Sequence, residues 1–291
     1  MKLVVVTATT NPEQARSCME SWGDVHKVVV VNNASPLPSA DRRADPVTWL
    51  TYDEYLGSVS AFRRGTDFVL DRIPDADIIA CLHDDLEIQD ADWQKKVIRH
   101  FEKVPSCGLL GFGGAIGLGD ADIYQKPYAP TQLARIGFRS NLRDAEVHGV
   151  RSLISEEVAC LDGFSQIGRR EFWLGQTASK QWTGTPGQPD FKFLPTPRLN
   201  DTEQRPWTVL EDLGIVHHLY DGLLGAIAAR YGWETWYLPI RCHHYGGRTA
   251  VGDVGYQQWA TDRIAGGDHG FWEAAHRIGY DSFKDVLPLR T

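Results

Sequence analysis

Residues 78–88 read Ile-Ile-Ala-Cys-Leu-His-Asp-Asp-Leu-Glu-Ile, an apolar run that ends in Asp84, Asp85 and Glu87. A buried strand can carry the first half. It cannot bury the second, because unpaired carboxylates are costly to desolvate. The strand must therefore stop at His83 or Asp84 and present its carboxylates at the rim of a sheet. In open α/β sheets the rim at the carboxyl ends of the strands is where ligands bind. Clustered carboxylates there suit a hard divalent cation, and such cations commonly hold phosphates. The bland alternative is a solvated acidic turn.

Three further segments carry groups that could do chemistry. Asp162-Gly163 ends an apolar strand and precedes Arg169-Arg170; an ordinary Asp-Gly turn would look the same. Asp221 opens a helix, where N-capping and the helix dipole alone would favour a carboxylate. That role is compatible with a catalytic one. His243-His244 closes a strand before a glycine pair. Adjacent side chains on a strand point in different directions, so at most one of the two can join a given metal.

The elements that must position these groups alternate in the first half. Lys2 to Thr7, Lys27 to Val31, Val47 to Thr51 and Ile78 to Leu82 are strand-like. Pro12 to Trp22 reads as a helix, with Asn11 as cap and Pro12 in the first turn. Ser58 to Asp71 and Trp93 to Val104 also have helical spacing. This order, without hairpin signals, predicts a Rossmann-like α/β fold with a mostly parallel central sheet flanked by helices. No GxGxxG follows the first strand, which disfavours a dinucleotide site. In the second half, Gly108 to Gly119 reads as a bent strand and turn, and Glu157 to Leu161 as a strand. Trp173 to Trp207 is rich in Gly, Pro, Gln and Thr and reads as a long lid or acceptor loop. Asp221 to Tyr231 is a predicted helix, Thr235 to Ile240 a strand, and Trp272 to Ile278 a short helix in the tail.

Composition sets bounds. The chain has 291 residues, 42% hydrophobic and 23% charged, which is ordinary for a globular protein with ample core. Its net charge of −8 and its merely paired basic residues weigh against a nucleic-acid partner. No stretch approaches a membrane span, and the first residues lack a signal-peptide pattern. The five cysteines are scattered without a CxxC pair. Reduced thiols and a cytoplasmic location are the expectation.

The order of these pieces resembles the GT-A fold glycosyltransferases, family 2 and its rhamnosyl- and galactosyltransferase-like relatives in particular. Val4-Val5-Val6-Thr7 precedes Val29-Val30-Val31-Asn32-Asn33-Ala34-Ser35, which looks like that family's nucleotide-base loop with Asn32 in place of its usual aspartate. Gly57 to Gly65 looks like its Gly- and Asn-rich helix start, with Arg64 near a place where relatives often carry Asn. His83-Asp84-Asp85 stands where the family carries its DXD motif. Cys160-Leu161-Asp162-Gly163 with Arg169-Arg170 looks like its acceptor-side strand and following Arg, Tyr220-Asp221 like the start of its base-bearing helix, and His243-His244-Tyr245-Gly246-Gly247 like its C-terminal histidine motif.

The resemblance covers Met1 to Gly247 and implies one domain over residues 1–291. Residues 1–105 would be the nucleotide-sugar half, 106–247 the acceptor and catalytic half, and 248–291 a tail. It implies a metal-dependent, inverting transferase that moves a sugar from a nucleotide-diphosphate donor to an acceptor hydroxyl. The acceptor could be a glycan, a lipid-linked intermediate, a protein or a modified nucleobase. Mn2+ or Mg2+ would sit on Asp85 and one of His243 and His244. Thr7, Thr9, Asn32, Asn33, Ser35, Arg64, His83 and Asp84 would face the donor, and Asp162, Gly163 and Trp182 the acceptor or sugar. Trp207 and Trp233 are further stacking candidates, and for Trp182, Trp207 and Trp233 alike a place in the core is an equal alternative. Asp221 is the expected general base, with Asp162 as its rival. Two other readings share the scaffold. A nucleotidyltransferase would carry a Gly-rich basic loop after the first strand, and Thr7-Ala8-Thr9-Thr10-Asn11-Pro12 has none. A non-catalytic carbohydrate-binding protein would release no nucleotide.

Overall fold

The structure, a computed structural model, describes residues 1–33, 47–119, 134–143, 149–178, 204–216 and 220–246; at 117–119 and 134–136 only the backbone is described. In chain order the elements are β1 (Leu3–Thr9), α1 (Pro12–Ser21), β2 (Lys27–Asn33), β3 (Val47–Tyr52), α2 (Gly57–Arg72), β4 (Ile78–Leu82), β5 (Leu86–Ile88) and α3 (Trp93–Lys103). Then follow β6 (Cys107–Gly111), β7 (Gly113–Gly119), β8 (Ala134–Ser140), β9 (Val150–Arg151), β10 (Glu156–Glu157), β11 (Cys160–Leu161) and β12 (Ser165–Arg169). The last are α4 (Arg170–Trp173), α5 (Pro206–Asp212), α6 (Tyr220–Arg230), β13 (Glu234–Tyr237) and β14 (Cys242–His244).

Eight strands form the main sheet in the order β10-β13-β6-β12-β4-β1-β2-β3. β3, β2, β1 and β4 are parallel, as the alternation of strands and helices requires. β12 runs antiparallel between β4 and β6, and β10 antiparallel to β13. The sheet is therefore mixed, where a mostly parallel one was expected. The reason lies in β12, Ser-Gln-Ile-Gly-Arg, whose only strongly apolar side chain is Ile167. Its polar members are buried by specific bonds: Ser165 Oγ accepts from Phe112 N at 2.8 Å, and Gln166 Nε2 donates to Asp162 O at 3.0 Å. A second sheet, β11-β7-β8-β9, and a two-stranded pair, β14-β5, complete the fold. The glycine-rich stretch thus supplies strands to two different sheets, and the segment expected as one strand at 157–161 splits into β10 and β11.

Side chains of successive strand residues go to opposite faces. Val4, Val6, Ile79 and Cys81 join one core with Phe62 of α2, Trp173 of α4, Trp207 of α5 and Leu223 of α6. Leu3, Val5, Ile78, Ala80 and Leu82 join the other with Cys18 of α1 and Trp93, Val97 and Phe101 of α3. The result is a three-layer arrangement with β4 buried on both sides. Helix α2 lies unusually close to the sheet: a Cβ on Gly65 would stand 2.3 Å from Val6 Cγ1, so only glycine fits.

Several expectations hold in detail. Asn11 caps α1, accepting from Gln14 N at 3.2 Å. The first four strands and first three helices fall within a few residues of their predicted bounds. Others need correction. Arg169 and Arg170 do not face an acceptor. Arg169 donates to the carbonyls of Phe101, Val104 and Cys107, and Arg170 to those of Leu70, Ile73 and Ala76. The two cations thus close the carboxyl ends of α3 and α2, where orphan carbonyls and the helix dipole favour positive charge. Trp207 is core: it stacks on Trp173 at 5.5 Å and on Phe62 at 5.4 Å between ring centroids. Trp233 is tied inward by Nε1 donating to Gln176 O at 2.8 Å. The expected loop from 173 to 207 has helices at its two ends, and its middle lies outside the described residues, with Ser35, Trp182 and the tail helix. Among the described residues, no helix is long and apolar enough to cross a membrane, and the five cysteines are buried thiols outside any disulfide.

One buried polar group gives the fold a pH dependence. His100 of α3 packs edge-on against Trp236, and its Nε2 has no partner among the described residues. Burial pulls its pKa down to about 4, helped by the charge of Arg169 and opposed by Glu234. The unfolded chain takes up that proton near pH ~6.5, so the stability tied to a neutral His100 is full above that value and drains as pH falls toward the folded pKa. His100→Phe should flatten the loss of urea midpoint between about pH 7 and about pH 4. A mutant that loses stability as steeply as the wild type would show that other groups set the acid limit.

Candidate metal centre

Parallel β1, β2, β3 and β4 end on one edge, at Thr9, Asn33, Tyr52 and Leu82, with Thr9 opposite Asn32 and Asn33 opposite Tyr52. The chain leaves β4 through His83-Asp84-Asp85 where the strand was expected to stop, but both carboxylates are buried rather than presented in the open. His83 and Asp85 turn toward one another and Asp84 turns away. Asp84 turns inward, and its Oδ2 accepts from Thr9 Oγ1 at 2.7 Å. Its burial raises the pKa to about 7; the Thr9 bond opposes the rise, and the negative charge of Asp85 adds to it. Thr9 and Asp84, both expected to face the donor, satisfy each other and latch β1 to the end of β4.

Asp85 is reached by a distant segment. β14 pairs antiparallel with β5, setting His243 opposite Glu87 and His244 opposite Leu86, and Tyr245 N donates to Asp85 O at 3.1 Å. This pairing brings His244 Nε2 to 3.1 Å from Asp85 Oδ1 and 3.3 Å from His83 Nδ1. The side chains of His83, Asp85 and His244 form a group that could hold a metal ion. The Asp85 side chain is 6% exposed, yet its Oδ1 receives no aligned hydrogen bond. The nearest donor, His244 Nε2, is poorly aligned with it, which leaves the oxygen open to a cation. Without an ion the two groups pair by charge, and His244 must give up its proton to become a ligand. Burial pushes Asp85 upward but the neighbouring His244 outweighs it, so the carboxyl titrates below its usual range. The His244 pKa is raised, because Asp85 overcomes the burial that would lower it.

Of the two candidate histidines only His244 belongs to this centre. His243 lies on the other side of β14, its ring 4.2 Å from that of Tyr245, and its charge acts on Glu87. Tyr245 in turn donates to Glu87 at 2.6 Å. The expectation that His243 could be a ligand is corrected by strand alternation, and His83, expected on the donor side, takes its place in the cluster.

The remaining residues surround the centre. The Asp162-Gly163 turn feeds β12, and His83 N donates to Phe164 O at 3.0 Å, so the turn sits beside the exit of β4. Tyr220, first residue of α6, donates its hydroxyl to Gly163 O at 3.1 Å and lies 2.9 Å from His83 Nε2. A Cβ on Gly163 would stand 2.6 Å from that hydroxyl, which is why the position takes glycine. Asp221 follows in the first turn of α6, 8% exposed, accepting from Gly222 N at 2.9 Å. Burial and His244 lower the His83 pKa, while Asp85, Asp162 and Asp221 all pull it up, so both candidate bases lie within electrostatic reach of the centre.

Toward the β3 side, Asn32 and Asn33 are buried, and Asn33 Oδ1 accepts from Leu56 N at 2.6 Å. Thr7 is fully buried in β1. Arg64 is exposed, with its guanidinium 5.8 Å from the centroid of the Tyr52 ring. Tyr220 and Tyr52 were missed by sequence reasoning. Tyr220 carried a signal, since it precedes the candidate base, but a lone tyrosine at a helix start has no periodic mark.

No protein-family model and no curated protein matches the chain. Among solved structures it is similar to the crystal structure of A197 from STIV, with a TM-score of 0.41 and 12% identity over 84% of this chain and 86% of that one. A likeness at that level carries no argument about activity.

Single substitutions separate the two histidines. His244→Ala should weaken Mn2+ binding, followed by the electron paramagnetic resonance of the free ion, whereas His243→Ala should leave the titration unchanged. Equal losses in both folded variants would contradict the placement of the cluster on one face of β14.

Proposed function

We propose that the protein is a cation-assisted glycosyltransferase of the GT-A kind, moving a sugar from a nucleotide diphosphate to an acceptor hydroxyl with inversion. The observation that carries this reading is the convergence of His83, Asp85 and His244 at the carboxyl edge of β4, with Asp221 and Asp162 within electrostatic reach. A mixed α/β sheet whose parallel half ends at that edge is the expected setting for a nucleotide.

Asp85 and His244 would hold Mn2+ or Mg2+. Such an ion, when bound, neutralises the charge that develops on a departing diphosphate. The chain's own residues would do the rest. Asn32 and Asn33 end β2 on the same sheet edge and Arg64 of α2 lies over Tyr52 at the end of β3, which is where a base and ribose would extend. An acceptor hydroxyl is a poor nucleophile near neutral pH, and a carboxylate on the far side of the sugar can accept its proton as it attacks. Asp221 suits that role because the first turn of α6 holds it rigidly. Asp162, on the turn that Tyr220 grips through Gly163, would bind sugar hydroxyls.

Two measurements test this reading. Asp85→Ala should abolish the metal-dependent part of nucleoside-diphosphate binding in calorimetry. It also leaves the largely buried His244 without its partner, so the melting temperature should fall, and circular dichroism at the assay temperature confirms that the variant is folded. Undiminished affinity would remove the centre from the donor site. Asp221→Asn keeps the size of the side chain and removes the basic charge, so transfer should fall by about two to four orders of magnitude with donor affinity little changed. Loss of turnover in Asp162→Asn but not in Asp221→Asn would exchange the two roles. A wild-type protein that binds nucleotide sugars yet releases no nucleotide would be a binding protein.

A further inference from the structure

The distances among the three side chains say more about the ion than the resemblance does. His244 Nε2 to Asp85 Oδ1 is 3.1 Å, His83 Nδ1 to His244 Nε2 is 3.3 Å, and His83 Nδ1 to Asp85 Oδ1 is 3.9 Å. A point equidistant from all three atoms lies inside their triangle, about 2.0 Å from each, which is the length of a bond from a first-row ion such as Zn2+ to imidazole nitrogen or carboxylate oxygen.

Ligation by His83 requires an Nδ1 lone pair, hence a proton on Nε2. Tyr220 sets that tautomer. Its single hydroxyl hydrogen is donated to Gly163 O, at 3.1 Å. With that hydrogen on Gly163 O, the hydroxyl oxygen, 2.9 Å from His83 Nε2, accepts from Nε2–H, the tautomer that leaves Nδ1 unprotonated toward the cluster. A second contact also fixes the imidazole: it stacks on Phe62, 12° from parallel at 6.3 Å between centroids.

We propose that His83 is a third protein ligand through Nδ1, oriented by Tyr220, and that the site is a two-histidine, one-carboxylate centre selecting a transition ion over Mg2+ or Ca2+. The proposal takes from the functional reading only that the centre holds a cation. Imidazole nitrogen suits Mn2+, Fe2+, Co2+ and Zn2+, whereas Mg2+ and Ca2+ prefer oxygen throughout. Three protein ligands leave open positions, as a catalytic ion needs. Tyr220 is a positioning residue: it acts through His83 and also ties the Asp162-Gly163 turn and the start of α6 to the centre. The outer partner of a ligating histidine fixes its ring and commonly carries a factor of about 10 to 100 in metal affinity.

The test uses the full chain and metal salts alone. Co2+ is titrated into wild type, His83→Ala and Tyr220→Phe, with visible absorption reporting the ligand field and calorimetry the affinity. One Co2+ should bind the wild type and resist about a hundredfold excess of Mg2+, an ion that prefers all-oxygen ligands. Tyr220→Phe should bind about 10- to 100-fold more weakly, and His83→Ala more weakly still, with altered bands. If His83→Ala does not fold, histidine 15N spectra of the wild type with Zn2+ decide: Nδ1 of His83 and Nε2 of His244 should both shift. A wild-type ligand field and affinity in His83→Ala, an unshifted His83 Nδ1, or ready displacement by Mg2+ overturns the proposal. The readings fail separately. Tight Co2+ binding without any nucleotide-sugar turnover would remove the glycosyltransferase while leaving this centre. A centre of Asp85 and His244 alone would leave the glycosyltransferase and remove His83.

Discussion

Everything at the site follows from the burial of β4 on both faces and along both edges. β1 pairs on one side in parallel and β12 on the other in antiparallel, and both cores press on its side chains. A strand so enclosed cannot carry a charge, so the acidic residues after Leu82 are pushed to its end together. They are not left in water there. Asp84 is absorbed by Thr9 and Asp85 by His244, and each of these partners comes from a different strand. The constraint that ends the strand thus also gathers the groups that could bind an ion.

Much of this was legible in the chain. The run from Ile78 to Glu87 announces a strand that must stop, and β1 to β3 have apolar, β-branched runs that only buried strands need. Helix α1 shows its cap, and α2 shows 3.6-residue spacing. The antiparallel β12 was not legible, because Ser165 and Gln166 are buried through hydrogen bonds that no hydrophobic pattern predicts. For the same reason Arg169-Arg170 looked like a ligand-facing pair, when helix carbonyls 62 to 100 residues away take up their hydrogens. Helix α5 was hidden by the proline- and glycine-rich residues before it, and Trp207 belongs to a stack that only tertiary packing assembles.

The cluster of His83, Asp85 and His244 was half legible. Asp85 and one of two histidines could be picked from residue type and motif order. Alternation on a strand separates His243 from His244, but choosing between them needs the register of β14 on β5, which the residues of Cys-His-His do not give. His83 looked like a departure from a carboxylate motif rather than a ligand. Its part depends on a histidine 161 residues away and on a tyrosine hydroxyl, neither of which has a sequence signature.

The same contacts hold the cluster of His83, Asp85 and His244 in place from several sides. An ion held by flexible side chains must be reorganised as charge develops, whereas preorganised ligands act without that cost. Here His83 is fixed by Tyr220 and Phe62, and Asp85 by the β5–β14 pairing, in which Tyr245 N holds its carbonyl. Tyr220 also adjoins Asp221, so the element that orients a ligand carries the candidate base one residue later. Gly163 completes the link, since any larger residue would displace the Tyr220 hydroxyl and with it the hydrogen bond to His83. The His83–Asp85–His244 cluster, the Asp162-Gly163 turn and the start of α6 are thereby tied to one hydroxyl group. Their spacing is then a property of the hydrogen-bond network rather than of loop position, which is the kind of support that a preorganised site requires.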